Sequence, residues 1–212
     1  MIFIHSFVIF TSMISCFLFQ KKQKKTLQFL FKPLTIILIF LLPLFNFTLA
    51  GNRLFVHYII VGLFFSIIGD ILLMLKNRYF IFGLVSFLIT HLFYLAGIFS
   101  INPFSFSWIV ILFVFLWFLF IRQFLSSLSH SLKPAVLIYS LILGILFWQA
   151  GELLLNELTT QTILLFIGIT LFLISDWMLA EKKFKSSQRF AFINLPVYFT
   201  GQWLIAVSTI VN

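Results

Sequence analysis

The chain has 212 residues, 62% of them hydrophobic and only 9% charged, with a net charge of +9. A soluble domain carries about 25% charged residues, so there is too little polar surface here to clothe a water-exposed globule. The excess positive charge would suggest nucleic acid on a soluble chain. Here it sits in short breaks between apolar runs, which makes it a topology signal and argues against a nucleic-acid partner.

The apolar runs predict helices over 2–19, 32–49, 54–75, 80–99, 104–121, 133–150, 160–180 and 190–210. Such runs suit a hydrocarbon core about 30 Å thick. They are twice the length of barrel strands and do not alternate, and helix satisfies the backbone within lipid. The first run has no basic region before it and no small-residue cleavage site after it, so it reads as a span and not a signal peptide. Its Cys16 is the only cysteine, which leaves no intramolecular disulfide and no four-cysteine zinc site.

In chain order, Lys21, Lys22, Lys24, Lys25 and Lys32 follow helix one, and Lys76 and Arg78 follow helix three. Arg122 and Lys133 flank the break after helix five, and Lys182, Lys183, Lys185 and Arg189 follow helix seven. All lie on one side; Arg53 alone lies on the other. The expected topology therefore has cytoplasmic basic loops and both termini on the non-cytoplasmic side. The Lys21–Lys25 cluster is also placed to meet anionic bilayer lipids. Glu152, Asn156 and Glu157 read as a solvated outer loop after helix six. Tyr139 and Gln149 on helix six, and Trp108 and Trp117 on helix five, read as packing or interfacial residues.

The fold expected is all-α: one transmembrane domain over 1–212, with pseudo-repeats at about 1–100 and 101–212. Lys32-Pro33 opens helix two as Lys133-Pro134 opens helix six. Gly62, Asp70 and Lys76 have the same spacing as Gly168, Asp176 and Lys182. One common offset separates Arg78, Phe87 and His91 from Arg189, Tyr198 and Gln202. Four helices per half preserve orientation, so the repeats would be parallel, related by an axis along the membrane normal.

Asp70 and Asp176 are the membrane-embedded aspartates. A carboxylate in lipid faces the bundle or a water-filled cavity. Gly62 and Ser66 share the face of Asp70, and Ser175 precedes Asp176. Two carboxyl groups flanking one dry site divide into a proton donor and a proton acceptor. The residues alone leave three readings open: catalysis, a polar latch between helices, and proton-coupled transport. His91 with Tyr94, and Tyr198 with Gln202, pair along their helices. They are candidates to orient water or a lipid headgroup, and His91 is also a candidate proton carrier. Ser66 and Ser175 join them as candidate substrate contacts. His5, His57 and His130 form no metal-ligand pattern with the aspartates, and no metal or other cofactor is expected. Zincin, phosphate-loop and nucleophile-elbow motifs are absent from the sequence.

The stretch from Gly62 to Leu73, with Gly69-Asp70 inside it, resembles the YhhN or lysoplasmalogenase family. The likeness continues through Phe80, Gly83, Phe87, His91 and Tyr94. It resumes at Gly168–Phe172, Ser175-Asp176, Leu179-Ala180 and Phe184, and ends on Tyr198 and Gln202. Gly201 departs from it by replacing an expected alanine, a change expected to enlarge the site. The resemblance implies an eight-helix membrane hydrolase of a lysophospholipid. Its reaction would cleave the vinyl ether of a lysoplasmalogen to a fatty aldehyde and glycerophosphoethanolamine or glycerophosphocholine. It implies Asp70 and Asp176 as the catalytic pair, without assigning their roles. A bacterial inner membrane is the expected location, and the oligomeric state stays open.

Overall fold

A computed structural model describes residues 2–47, 52–75 and 77–211. Among them are eight α-helices: α1 (Ile2–Lys21), α2 (Lys25–Phe45), α3 (Arg53–Met74), α4 (Phe80–Ile101), α5 (Ile109–Leu125), α6 (Lys133–Asn156), α7 (Thr160–Lys185) and α8 (Asn194–Val207). No strand occurs among the described residues. Six of the helices are long and apolar enough to cross a membrane, while α5 has 17 residues and α8 has 14. Lys76 and the expected end of helix two at 48–49 lie outside the described residues.

Contacts between neighbours fix the course of the chain. Ser12 bonds to Thr35 and Phe19 packs on Phe31, so α1 and α2 run antiparallel. The α3–α4 pair is aligned the same way, with Gly62 against Tyr94 and Gly69 against Phe87. Trp117 bonds to Ser140 while Phe113 stacks on Trp148, which sets α5 against α6. Tyr139 meets Asp176 and Phe147 meets Phe166 between α6 and α7. Ser175 bonds to Asn194 and Gly168 meets Gly201 between α7 and α8. The turns after α1, α3, α5 and α7 therefore gather at one end, which we call the basic end. There Gln23 and Ser186 reverse the chain in left-handed conformations with φ of 53° and 54°. Lys182, Lys183 and Lys185 occupy the last turn of α7, where cations suit the helix dipole.

Several boundaries differ from the sequence expectation, and those of α2, α5 and α6 have a physical cause. Helix α2 starts seven residues before 32, so Lys32 lies two turns inside it and not at its mouth. The apolar spacing of Leu27, Leu30, Phe31 and Leu34 already carries the helical face past the lysine. Helix α5 starts at Ile109, not 104. Pro103 holds Asn102 extended (φ −130°, ψ 123°), and the residues after it are held by α6. Gln149 accepts from the Ser105 amide and donates to its carbonyl. Glu152 accepts from the Ser107 amide, the Ser107 hydroxyl and Trp148 Nε1. Helix α6 consequently runs to Asn156, and Glu152 is a buried helical residue (2% exposed) instead of part of a solvated loop. Asn156 is its last residue and bonds to Ser105 Oγ at 3.0 Å. Helix α8 is shorter than 190–210, flanked by turns on both sides.

The core is a column of buried aliphatic and aromatic side chains that includes Ile36, Phe55, Leu63, Ile98, Phe172 and Ile205. Phe3, Phe7, Phe82, Ile111 and Phe118 remain exposed on the outer helix faces. Apolar outer faces are the arrangement of helices solvated by lipid. An alanine at Gly201 would bring its Cβ to 2.9 Å from the Gly168 carbonyl oxygen. Gly201 thus permits close contact of α8 with α7, and its missing methyl falls at that seam instead of enlarging the site.

Candidate active site

At the basic end, α2, α3, α7 and α8 enclose a cavity of about 400 Å³. Asp70 from α3 and Asp176 from α7 both line it. Lys32, Lys182, Gln20, Gln28, Asn194, Ser175 and Tyr198 supply the rest of its polar wall.

The two carboxyl groups have different partners. Asp70 is 2% exposed, and its Oδ1 pairs with Lys32 Nζ at 2.8 Å. Its Oδ2 accepts from Tyr198 at 2.8 Å. Behind Tyr198 runs a chain of buried hydrogen bonds. Tyr94 donates to Gln202 Oε1 at 2.6 Å, and Gln202 Nε2 donates to Ser66 Oγ at 2.8 Å. Ser66 and Tyr198 oxygens lie 2.8 Å apart. Tyr198 has one proton and gives it to Asp70, so Ser66 must be the donor in that link. Every proton in the series points towards Asp70. That arrangement matches an acceptor-only carboxylate at its end, charge-balanced by Lys32.

Asp176 is half-buried, and Oδ2 accepts from the Tyr139 hydroxyl of α6. Its partner is therefore a neutral phenol. Beside it, Ser175 donates to Asn194 Oδ1 at 3.0 Å, tying α7 to the first turn of α8. Asp176 also lines a second, narrow cavity of about 50 Å³, walled by Leu84, Phe120, Leu143 and other apolar groups.

Of the six residues singled out as orienting groups, Tyr198 and Ser175 line the polar cavity. Tyr94, Gln202 and Ser66 form the relay behind Asp70. His91 is fully buried, between the rings of Tyr139 at 5.1 Å and Phe172 at 4.9 Å. Both of its ring nitrogens lack a hydrogen-bond partner. Two site residues go beyond the sequence expectation: Lys32 reads as a base ahead of helix two, and Tyr139 reads as a packing or interfacial residue. The apolar spacing around Lys32 was the available signal; nothing in the sequence pairs Tyr139 with Asp176. No group of three or more potential metal ligands occurs among the described residues.

An apolar helical bundle with a carboxyl-lined cavity at its basic end defines an integral membrane protein with an internal polar site. The chain belongs to the YhhN family, which matches residues 27–209. It is 26% identical over 190 residues to the uncharacterized membrane protein YhhN of Escherichia coli, covering 85% of this chain and 86% of that one. It is 31% identical over 162 residues to bovine lysoplasmalogenase TMEM86A, covering 72% of this chain and 65% of the relative. The human lysoplasmalogenase TMEM86A is 27% identical over the same length. No solved structure gives a significant match.

Proposed function

We propose that the protein is a lysoplasmalogenase-like hydrolase. It takes a lysophospholipid from the surrounding bilayer and cleaves its vinyl ether by acid–base catalysis between Asp176 and Asp70. The observation that carries this reading is one cavity wall holding two carboxyl groups with opposite surroundings, a lysine at Asp70 and a phenol at Asp176. A carboxylate beside Lys32 is charge-balanced. A neutral carboxyl beside Tyr139 leaves no unbalanced charge in the bundle. The names of the mammalian relatives support the substrate class.

A vinyl ether is not an electrophilic acyl group, so its hydrolysis needs an acid before it needs a nucleophile. In the proposed reaction Asp176 gives its proton to the outer vinyl carbon, whose π pair forms the new C–H bond, and a lone pair of the ether oxygen shares the positive charge left on the adjacent carbon as an oxocarbenium ion. The Asp70 carboxylate stabilises that cation and takes a proton from water as the water oxygen adds to the cationic carbon. The resulting hemiacetal loses its hydroxyl proton as the glycerol oxygen leaves with one. The products are a fatty aldehyde and a glycerophospho alcohol, and one water is consumed. Lys182 and Lys32 offer the headgroup phosphate positive charge on the cavity wall.

We extend the proposal to the membrane arrangement: eight spans, basic end in the cytoplasm, both termini outside, in a bacterial inner membrane. The loop charges favour it. A parallel four-plus-four repeat would relate α2 to α6 and α4 to α8. The fold has α4 packed on α6 and α8 packed on α2, the two crossings such an axis would exchange. Single cysteines introduced beside Lys22 and Arg53 should label from opposite sides of sealed vesicles. The native Cys16 is buried and leaves a quiet background.

The decisive experiment is purified protein in detergent with lysoplasmenylethanolamine, following aldehyde release. D70N and D176N should each lower the rate at least a hundredfold with an unchanged elution profile. Detergent abolishes any gradient, so aldehyde release there also separates a hydrolase from a proton-coupled carrier. Wild-type turnover by both variants overturns the acid–base pair.

A further inference from the structure

Asp176 stands on the wall of two cavities of opposite character. One is the polar chamber described above. The other is the narrow, mainly apolar one, and it has a neighbour. Phe120, Ser140 and Leu143 line it and also line a third cavity of about 150 Å³ between α5, α6 and α7. The third cavity continues away from the basic end: Thr170 on its wall precedes Asp176 by six residues, about 9 Å along α7 at 1.5 Å per residue. Phe147 lies eight residues beyond Tyr139, about 12 Å along α6. At the inner end Gly144 faces the ring of Phe113, which occupies the space a side chain there would need.

We propose that this series of cavities is the subsite for the hydrocarbon chain of a lysophospholipid, entered at Asp176 and closed by Phe113 on Gly144. The occupant is a single unbranched alkyl or alkenyl chain. Three features select it. Beyond Asp176 the lining is mainly aliphatic and aromatic, relieved by Tyr139, Ser140, Thr170, Trp117 and Lys183, whose polar groups are engaged: Tyr139 donates to Asp176, Ser140 donates to Leu137 O and accepts from Trp117, Thr170 donates to Phe166 O, and Lys183 Nζ lies 4.4 Å from the centroid of the Phe80 ring. The passage is narrow where it meets Asp176, which suits one chain and not two. It also shares the walls at Leu73, Phe87, Asp176 and Leu179 with the polar chamber, where Lys32 and Lys182 stand. A molecule with an anionic head and one long tail spans the two compartments with its junction at Asp176.

This inference rests on the hydrolase reading and sharpens it. The vinyl carbon that must be protonated is the one not bonded to the ether oxygen, one bond further along the chain. Asp176 borders the chain side as well as the head side, so the proposed acid is the aspartate placed beside that carbon. Asp70, held by Lys32 and Tyr198 on the polar wall, is placed beside the oxygen-bearing carbon and the water.

The test combines chain-length selectivity with labelling. Each methylene excluded from an apolar site costs about 0.8 kcal/mol, roughly fourfold in kcat/KM. Ser140→Leu, which narrows the junction of the two apolar cavities, should lower kcat/KM for long-chain lysoplasmenylethanolamine by about tenfold or more and spare short-chain substrate. Phe113→Ala, which opens the far end, should shift preference towards longer chains by roughly fourfold per added methylene. An uncleavable alkyl lysophospholipid with a photoreactive chain end should label wild-type protein in nanodiscs on α5, α6 or α7. Excess unlabelled alkyl lysophospholipid should prevent it and diacyl phospholipid should not. Labelling confined to other helices, or selectivity unchanged in both variants, overturns the subsite. Competed labelling at α5–α7 without aldehyde release would keep the subsite and reject the hydrolase.

Discussion

Replacing Lys32 by methionine tests the asymmetry of the two aspartates directly. The change keeps the apolar stem and removes only the ammonium that lies 2.8 Å from Asp70. Removing one partner of a buried ion pair costs about 3–5 kcal/mol, because the other charge is left without compensation. Lys32 keeps 14% of its side chain exposed, and Asp70 retains the hydrogen bond from Tyr198. A carboxylate stranded in a bundle also takes up a proton sooner than remain charged. All three place the cost at the low end, about 3 kcal/mol. If the whole of it appears in the transition state, aldehyde formation falls by about 150-fold. The assays are kcat/KM for aldehyde release and the thermal midpoint in detergent, read on K32M, D70N and the double variant. Asparagine can still accept from Tyr198 and carries no charge, so K32M should cost little more once D70N is present. A coupling of about 2 kcal/mol is expected, within the range for contacting residues. Strict additivity, or K32M with wild-type kinetics and stability, would refute the argument that Lys32 balances an ionised Asp70.

Four further substitutions separate chemistry from architecture. Y139F removes the hydrogen bond to the neutral Asp176 carboxyl and should lower kcat/KM by about two- to tenfold, the kinetic equivalent of a 0.5–1.5 kcal/mol bond between neutral groups, with little change in thermal midpoint. Y198F cuts the relay where it meets Asp70 and leaves Ser66 without its acceptor, so both rate and thermal midpoint should fall, by about 1–3 kcal/mol in stability. E152A removes the shared acceptor that ties Ser107 and the Trp148 indole to α6; the thermal midpoint should drop while residual kcat/KM per folded molecule stays near wild type, measured by active-site titration. G168A sets a Cβ 2.8 Å from the Gly201 carbonyl oxygen and 3.0 Å from the Ile205 amide, both backbone atoms that cannot swing aside. It should destabilise by about 1–3 kcal/mol, read from the same thermal scan.

The number and order of the helices were legible because lipid imposes a simple rule: long apolar runs separated by short charged breaks. The rule says nothing of depth within a run, and the errors cluster there. A lysine beside a proline looked like the start of helix two, and only the fold shows that Lys32 rides inside the helix to meet Asp70. Glu152 reads as loop because acidic residues are rare in spans; two of its three donors come from Ser107, in a segment whose path the sequence does not reveal. The aspartates themselves were legible, since a carboxyl group in an apolar run has few inexpensive explanations. Their different neighbours were not, because Lys32, Tyr139 and Tyr198 reach them from three other helices.

That difference bears on how a repeated fold could yield an acid–base pair at all. Under the proposed repeat, the counterpart of Tyr198 is Phe87, which lines the same polar cavity but has no hydroxyl to offer Asp176. The counterpart of Lys32 is Lys133, at the very start of α6 and so not carried inside its helix as Lys32 is. Asp176 instead takes its bond from Tyr139, whose counterpart would fall among the apolar residues of α2. Two equivalent aspartates with equivalent partners would favour the same protonation state and compete for one proton. Two residue differences, and the different depth of one lysine in its helix, replace that symmetry with a charge-balanced carboxylate and a neutral acid. On this argument K32M should erase the distinction between the halves, and adding a hydroxyl by F87Y in that background should not restore it. What Asp70 requires is a counter-charge, which no phenol supplies. Recovery of aldehyde release in K32M/F87Y would show that hydrogen bonding, and not charge, separates the two roles.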